Sequence, residues 1–241
     1  MNSIAILMAG EMQRLKKYNI LTASFTVALL WIGVLALTEI QDLSMILPLV
    51  LFLDATSMAM VLIGVTMFYE KEEGTIKTLL VSPINKVEYI LAKTATNIFS
   101  NLITLALVYA YARIFREISI NLAMLAAAVI LISFFHSLVG FVLTYSSRDF
   151  TSLLVGMVKY TVVLMVPVIL EQVGLIADET VSNLLLALPT KASMVMLNAA
   201  AHTPELWELL LAIGYLVAAS AILFVYVVRR FDEYAVKESG V

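Results

Sequence analysis

The residues of this chain that are able to do chemistry are few, and several are polar groups set in apolar surroundings. Asp54 and Lys159 each interrupt a long apolar run, and His136 sits in another. A charge held in hydrocarbon is costly, so it faces a partner, a polar cavity or an ion path. Two readings of Asp54 and Lys159 stand side by side. They are a structural pair (or make local bonds, Asp54 to Thr56 or Ser57), or they line a route for cargo. His136 fits a hydrogen-bonded packing residue or, less simply, a proton carrier. Met157 and Met165 share a run with Lys159. Thioethers suit a surface that adapts to varied apolar shapes, and they suit ordinary packing equally. No cysteine is present, which removes disulfides and thiolate metal sites. His136 and His202 have no metal-ligand spacing. G-x-x-x-x-G-K-[ST], H-E-x-x-H and G-x-S-x-G are all missing, so neither a phosphate cradle nor a common hydrolase signature exists.

A second polar feature is larger. Tyr69 to Lys93 reads Y-E-K-E-E-G-T-I-K-T-L-L-V-S-P-I-N-K-V-E-Y-I-L-A-K, the longest polar interruption in the chain. Glu70, Glu72 and Glu73 lead to Gly74, which ends a helix at no steric cost. Thr75 is a suitable N-cap for a new short helix, with carboxylates ahead of its positive end. Ile76, Leu79 and Leu80 then share one face, and Pro83 stops continuation after Ser82. Thr75 to Ser82 makes a helix roughly 12 Å long, too short to cross a bilayer. Physics alone leaves two uses for it: lying in the headgroup layer, or plugging a groove on a partner protein.

The elements that position these residues follow from composition. Apolar residues make up 62% of the 241, and 14% are charged, so the chain is an integral membrane protein. The net charge of −3 gives no reason to expect nucleic acid as a partner. Residues 1–17 form an amphipathic helix lying along the membrane surface, with Glu11, Arg14 and Lys17 on its polar side. Spans are expected at 18–38, 44–68, 87–115, 120–145, 150–170 and 206–228, with a charged tail beyond. Residues 69–86 are the polar loop. Residues 171–205 hold two helical pieces, 179–188 and 190–201, each far short of the roughly 20 residues that a span needs. They are read as a re-entrant or interfacial pair. With both termini inside, most Lys and Arg residues are cytoplasmic and only Arg113, Arg116 and Lys191 lie outside. The polar loop is then cytoplasmic too. Asp54 sits about 22 Å above the inner end of its span and Lys159 about 16 Å above its own, so contact between them is feasible.

E-K-E-E-G-T followed by L-L-V-S-P, then E-Y and a lysine, resembles the coupling-helix signature of type 2 ATP-binding cassette (ABC) exporter permeases. The matching positions are Glu70, Glu72, Gly74, Thr75, Leu79, Leu80, Ser82, Pro83, Glu88 and Lys93; Lys77 departs from the acidic residue that is frequent there. The layout of spans extends the likeness over the whole chain. The resemblance implies a non-catalytic permease half that binds no cofactor. ATP and Mg²⁺ would sit on a separate ABC ATPase subunit, expected in two copies, into which the short helix seats. A second permease half, identical or not, is implied as well. In that family the second and fifth spans border the central cavity, which favours Asp54, Lys159, Met157 and Met165 as lining of a translocation path. The single-domain length, basic N-terminal helix and short first external link look closest to the fluoroquinolone-export type, in a bacterial or archaeal plasma membrane. The rival reading is a membrane scaffold or sensor that docks a regulatory partner and moves nothing.

Overall fold

The computed structural model describes residues 3–76, 78, 84–202 and 205–239. Among them no β-strand occurs, and six helices are long and apolar enough to cross a membrane. Helix α1, Ser3–Lys17, is followed by Asn19 at φ 57°, a left-handed residue that turns the chain into α2, Ile20–Leu37. Asparagine tolerates that conformation better than most residues. Next come α3, Leu47–Glu72, α4, Lys86–Phe115, and α5, Leu122–Ser146. Helix α6, Phe150–Gln172, contains a π turn at Thr161–Met165. Two short helices, α7 (Glu179–Leu185) and α8 (Pro189–Asn198), precede α9, Leu206–Ser239.

Helix α3 is the centre: 67% of its apolar stretch is buried, against 17% for α2 and 22% for α6 and α9. It packs chiefly on α5, and Gly140 makes this possible. A Cβ there would lie 3.0 Å from the backbone of Met60. The outer faces of α2, α6 and α9 carry exposed leucine, valine and isoleucine.

The long helices lie on the stretches expected to be spans, with two differences in extent. Helix α3 runs on to Glu72, so Glu70 belongs to the helix and not to a loop. Helix α9 runs on to Ser239, where a charged tail was expected. Phe231, Tyr234 and Ala235 explain the extension. They line one face at helical spacing and pack with Val227 against Ile76, Tyr89 and Phe141. The Glu11 expectation also fails. It points into the protein at 5% exposure, because a lysine on α4 meets it there.

The end of the bundle away from the termini is closed by several bonds. Arg116 donates to the carbonyls of Ala36 and Thr38, satisfying the end of α2. Helices α7 and α8 meet at 103°. Helix α8 dips back into the bundle against α3, α5 and α9, and Thr190, Ser193 and Leu197 on it have 0% exposure. Helix α7 lies mostly exposed across it.

Candidate coupling and translocation sites

Every long polar side chain that folds into an apolar bundle must find a counterpart. At the end that carries the termini, a cluster forms from three helices. Lys93 on α4 donates from Nζ to Glu11 Oε2 of α1 and to Glu70 Oε1 of α3, both at 2.9 Å. Tyr89, one turn before Lys93, donates its hydroxyl to Glu70 Oε2 at 2.5 Å. Arg14 bonds Glu11 Oε1 at 2.9 Å and closes on Glu70 as well. Side-chain exposures of 2% for Lys93, 0% for Glu70 and 6% for Glu11 place the pairs out of water. Burial raises the Glu11 carboxyl above its ordinary range, and Lys93 pulls it back down. One turn further out, Lys17 reaches Glu73 at 2.6 Å and Tyr18 stacks on Tyr69 with ring centroids 4.3 Å apart. The hydrogen bond from Lys17 holds the Glu73 carboxyl below the usual carboxylate range, with Tyr18 adding to it.

These contacts fix both roots of the polar loop. Glu70 and Tyr69 end α3, Tyr89 and Lys93 begin α4, and α1 is riveted across them. The last turns of α9 cover the loop's start from another side: Ile76, 2% exposed, packs with Phe231, Tyr234 and Ala235, and Lys86 reaches Asp232 at 2.5 Å. Gly74 has φ +69°, the left-handed conformation that ends α3. Thr75, Ile76 and Thr78 are helical. Leu79, Leu80, Ser82 and Pro83, the rest of the expected coupling helix, lie outside the described residues.

The proposed path residues do not form one group. Asp54 is 2% exposed and accepts a hydrogen bond from Trp31 Nε1 of α2 at 3.2 Å, with the Thr104 hydroxyl beside it. It makes no ion pair with Lys159, which lies on the exposed face of α6. Met165 is fully buried, its sulfur 3.7 Å from the Thr56 hydroxyl. Met157 is 7% exposed, against Gly64, and forms part of a groove between α3 and α6. His136 is a packing residue. Its Nδ1 meets the Ile132 carbonyl at 2.9 Å and its Nε2 the Tyr160 hydroxyl at 3.2 Å. Among the described residues no cluster suits a metal ion.

Sequence reasoning missed a polar seam on α4. Asn97 donates to Ser137 at 2.7 Å and to the Ala59 carbonyl at 2.8 Å, and Asn101 donates to Ser133 at 2.8 Å. Lys93, Asn97, Asn101 and Thr104 recur at helical spacing, and that stripe was the available signal. Glu171 accepts from Lys191 of α8 at 2.6 Å and from Ser182 of α7, tying the end of α6 to both short helices.

Residues 2–239 match the sequence profile of the fluoroquinolones export permease protein family. Two relatives from different strains of Mycobacterium tuberculosis, each named a fluoroquinolones export permease protein, are 26% identical over 227 residues, covering 93% of this chain and 93% of each relative. A profile that spans nearly the whole chain, on a bundle with six membrane-length helices, decides the assignment. The chain belongs to the fluoroquinolones export permease protein family, as a transmembrane exporter permease of the bacterial plasma membrane.

Proposed function

We propose that this permease couples ATP hydrolysis on a separate ABC ATPase to the efflux of fluoroquinolone-like amphiphiles. The end bearing the termini faces the cytoplasm, in keeping with the bias of its Lys and Arg residues. Two permease halves enclose the path, and two ATPase subunits carry ATP and Mg²⁺. The segment that begins at Thr75 seats on the ATPase. Ile76 belongs to the inner side of that segment, and Glu70 transmits force without touching the partner. The observation that carries this reading is the double anchorage of the polar loop. Its roots on α3 and α4 are bound to α1 through Lys93, Glu11 and Glu70, and its start is bound to α9 through Ile76. A push on such a loop cannot be absorbed locally; it moves the helices that hold it.

The experiment is reconstitution of the chain with an ABC ATPase that co-purifies with it. Inside-out vesicles should accumulate norfloxacin when ATP is supplied, and hydrolysis by the ATPase should rise when the permease is present. An ATPase that is indifferent to this chain, with no drug movement, overturns the proposal and leaves a scaffold or sensor.

A further inference from the structure

Lys159 stands nine positions after Phe150, the first residue of α6, and so lies about 14 Å along that helix, close to the middle of a hydrocarbon layer roughly 30 Å thick. A four-carbon stem cannot carry its ammonium from there to either headgroup layer. The side chain is exposed, on a stripe with Val155, Val162 and Val163. Among the described residues it has no carboxylate partner. Asp54, the one carboxylate inside the apolar part of α3, is buried and bonded to Trp31, and Glu171 at the far end of α6 is held by Lys191. An uncompensated ammonium at this depth does not face lipid tails. On the exporter reading above, the second permease half supplies the space that it faces.

Beside that stripe runs a groove of about 360 Å³ between α3 and α6, lined by Ser57, Met60, Val61, Met157, Val158 and Thr161. Its size is within the range of drug-sized ligands, and its lining is apolar with two hydroxyls. One turn of α6 thus sets a cation next to an apolar trough. The π turn that begins at Thr161 follows directly, and such turns recur at functional sites.

We propose that Lys159 is a specificity residue that binds the carboxylate of an amphiphilic cargo while the cargo's apolar body occupies the α3–α6 groove. This rests on the exporter reading above and adds the chemical group that the exporter selects. A second half identical to this one would bring another lysine to the same space, reinforcing a potential that draws anions.

The test compares norfloxacin with its ethyl ester, which lacks the carboxylate charge, in proteoliposomes holding the full permease and its ATPase. The readout is the ratio of acid to ester transported, which cancels differences in expression or folding. The wild type should prefer the acid. Lys159→Met and Lys159→Gln should lower the ratio about tenfold or more, as expected for loss of a charge-assisted bond. Lys159→Arg should retain the preference. A ratio unchanged in Lys159→Met, or lost equally in Lys159→Arg, overturns the proposal while the exporter reading stands. Loss of both probes in all three variants also overturns it. Transport of neither probe by the wild type would instead remove the exporter reading itself.

Discussion

Lys93 is the residue whose loss should be felt most sharply. Its ammonium is shared by two buried carboxylates, Glu11 and Glu70, at 2.9 Å each. Lys93→Met keeps the stem's volume and deletes the charge, leaving two carboxylates around an apolar end with the half-buried Arg14 and the Tyr89 hydroxyl to answer them. Removing one partner of a buried pair costs about 3–5 kcal/mol, because the other is left uncompensated. At about 2–4 °C per kcal/mol for a chain of this length, Tm in detergent should fall by about 6–20 °C. The damage should be local to α1. Leu15 on that helix is 3% exposed, packed with Ile20 and Leu62. Because the chain has no cysteine, Leu15→Cys reports undocking through its rate of maleimide labelling. Labelling should be slow in that variant and fast once Lys93→Met is added. Neutralising all three groups (Lys93→Met with Glu11→Gln and Glu70→Gln) should recover most of the loss, since a buried ionic group can be replaced as a unit at little cost. The reasoning is refuted if Lys93→Met lowers stability by less than about 1 kcal/mol and leaves Leu15→Cys protected.

Other consequences are as direct. Gly74 has φ +69° and open space where a Cβ would go, so substitution there acts through the backbone alone. Gly74→Val should cost about 1–2 kcal/mol at the loop root and lower drug export per ATP hydrolysed, whereas Gly74→Asn, which tolerates the left-handed region, should stay near wild type. A double-mutant cycle on Glu171→Gln and Lys191→Met, read by thermal unfolding, should give a coupling of about 0.5–3 kcal/mol; additivity would show that the link between α6 and α8 has no weight. The Glu73 carboxyl is held below its ordinary 4.5 by Lys17, so its contact with α1 is complete above that value and is lost as pH falls through the lowered one. Spin labels at Lys16→Cys and Glu72→Cys should keep one narrow distance distribution down to pH 4.5 and broaden below it, with α1 still held by the buried Glu11–Lys93–Glu70 cluster; the same pH-dependent broadening in a Glu73→Gln background would sink this assignment.

The bundle was largely legible because each span is an apolar run closed by charges or turn residues. Asn19, Asp149 and Gly174 mark breaks, and Asp149 caps α6 by accepting from the Ser152 amide at 2.7 Å. What escaped were cases in which a charge does not mean solvent. Glu11 looked like a surface residue because its own helix is amphipathic, and only a lysine 82 positions away turns it inward. Arg229, Arg230, Asp232 and Glu233 masked the apolar face of Phe231, Tyr234 and Ala235, so the end of α9 passed for a tail. Asp54 and Lys159 were matched by depth, which says nothing of azimuth: α3 turns Asp54 toward Trp31, and α6 turns Lys159 away. The π turn has a local cause in Pro167, whose ring lacks an N–H and crowds the carbonyl four residues back, but its width is set by packing.

The distribution of tight and loose contacts says where movement is admissible under the proposed mechanism. Between α3 and α5 there is no slack, since Gly140 already brings the helices to backbone contact at Met60. Between α1, α3 and α4 the ion cluster joins three elements through one ammonium. A displacement of the loop root therefore carries α1, α3, α4 and α5 as one body. Helix α6 is different. It is mostly exposed, its hydrogen-bond ladder is already widened at Thr161–Met165, and Thr190 of α8 supplies a hydroxyl to the Leu164 carbonyl within that turn. A helix with such a seam bends there at lower cost than an unbroken one, and the bend is transmitted to α8 through Thr190 and through Glu171–Lys191. Under the proposed mechanism α6 and α8 would form the gate, with Lys159 on the turn just before the π turn, where bending would reorient a bound carboxylate toward the far end.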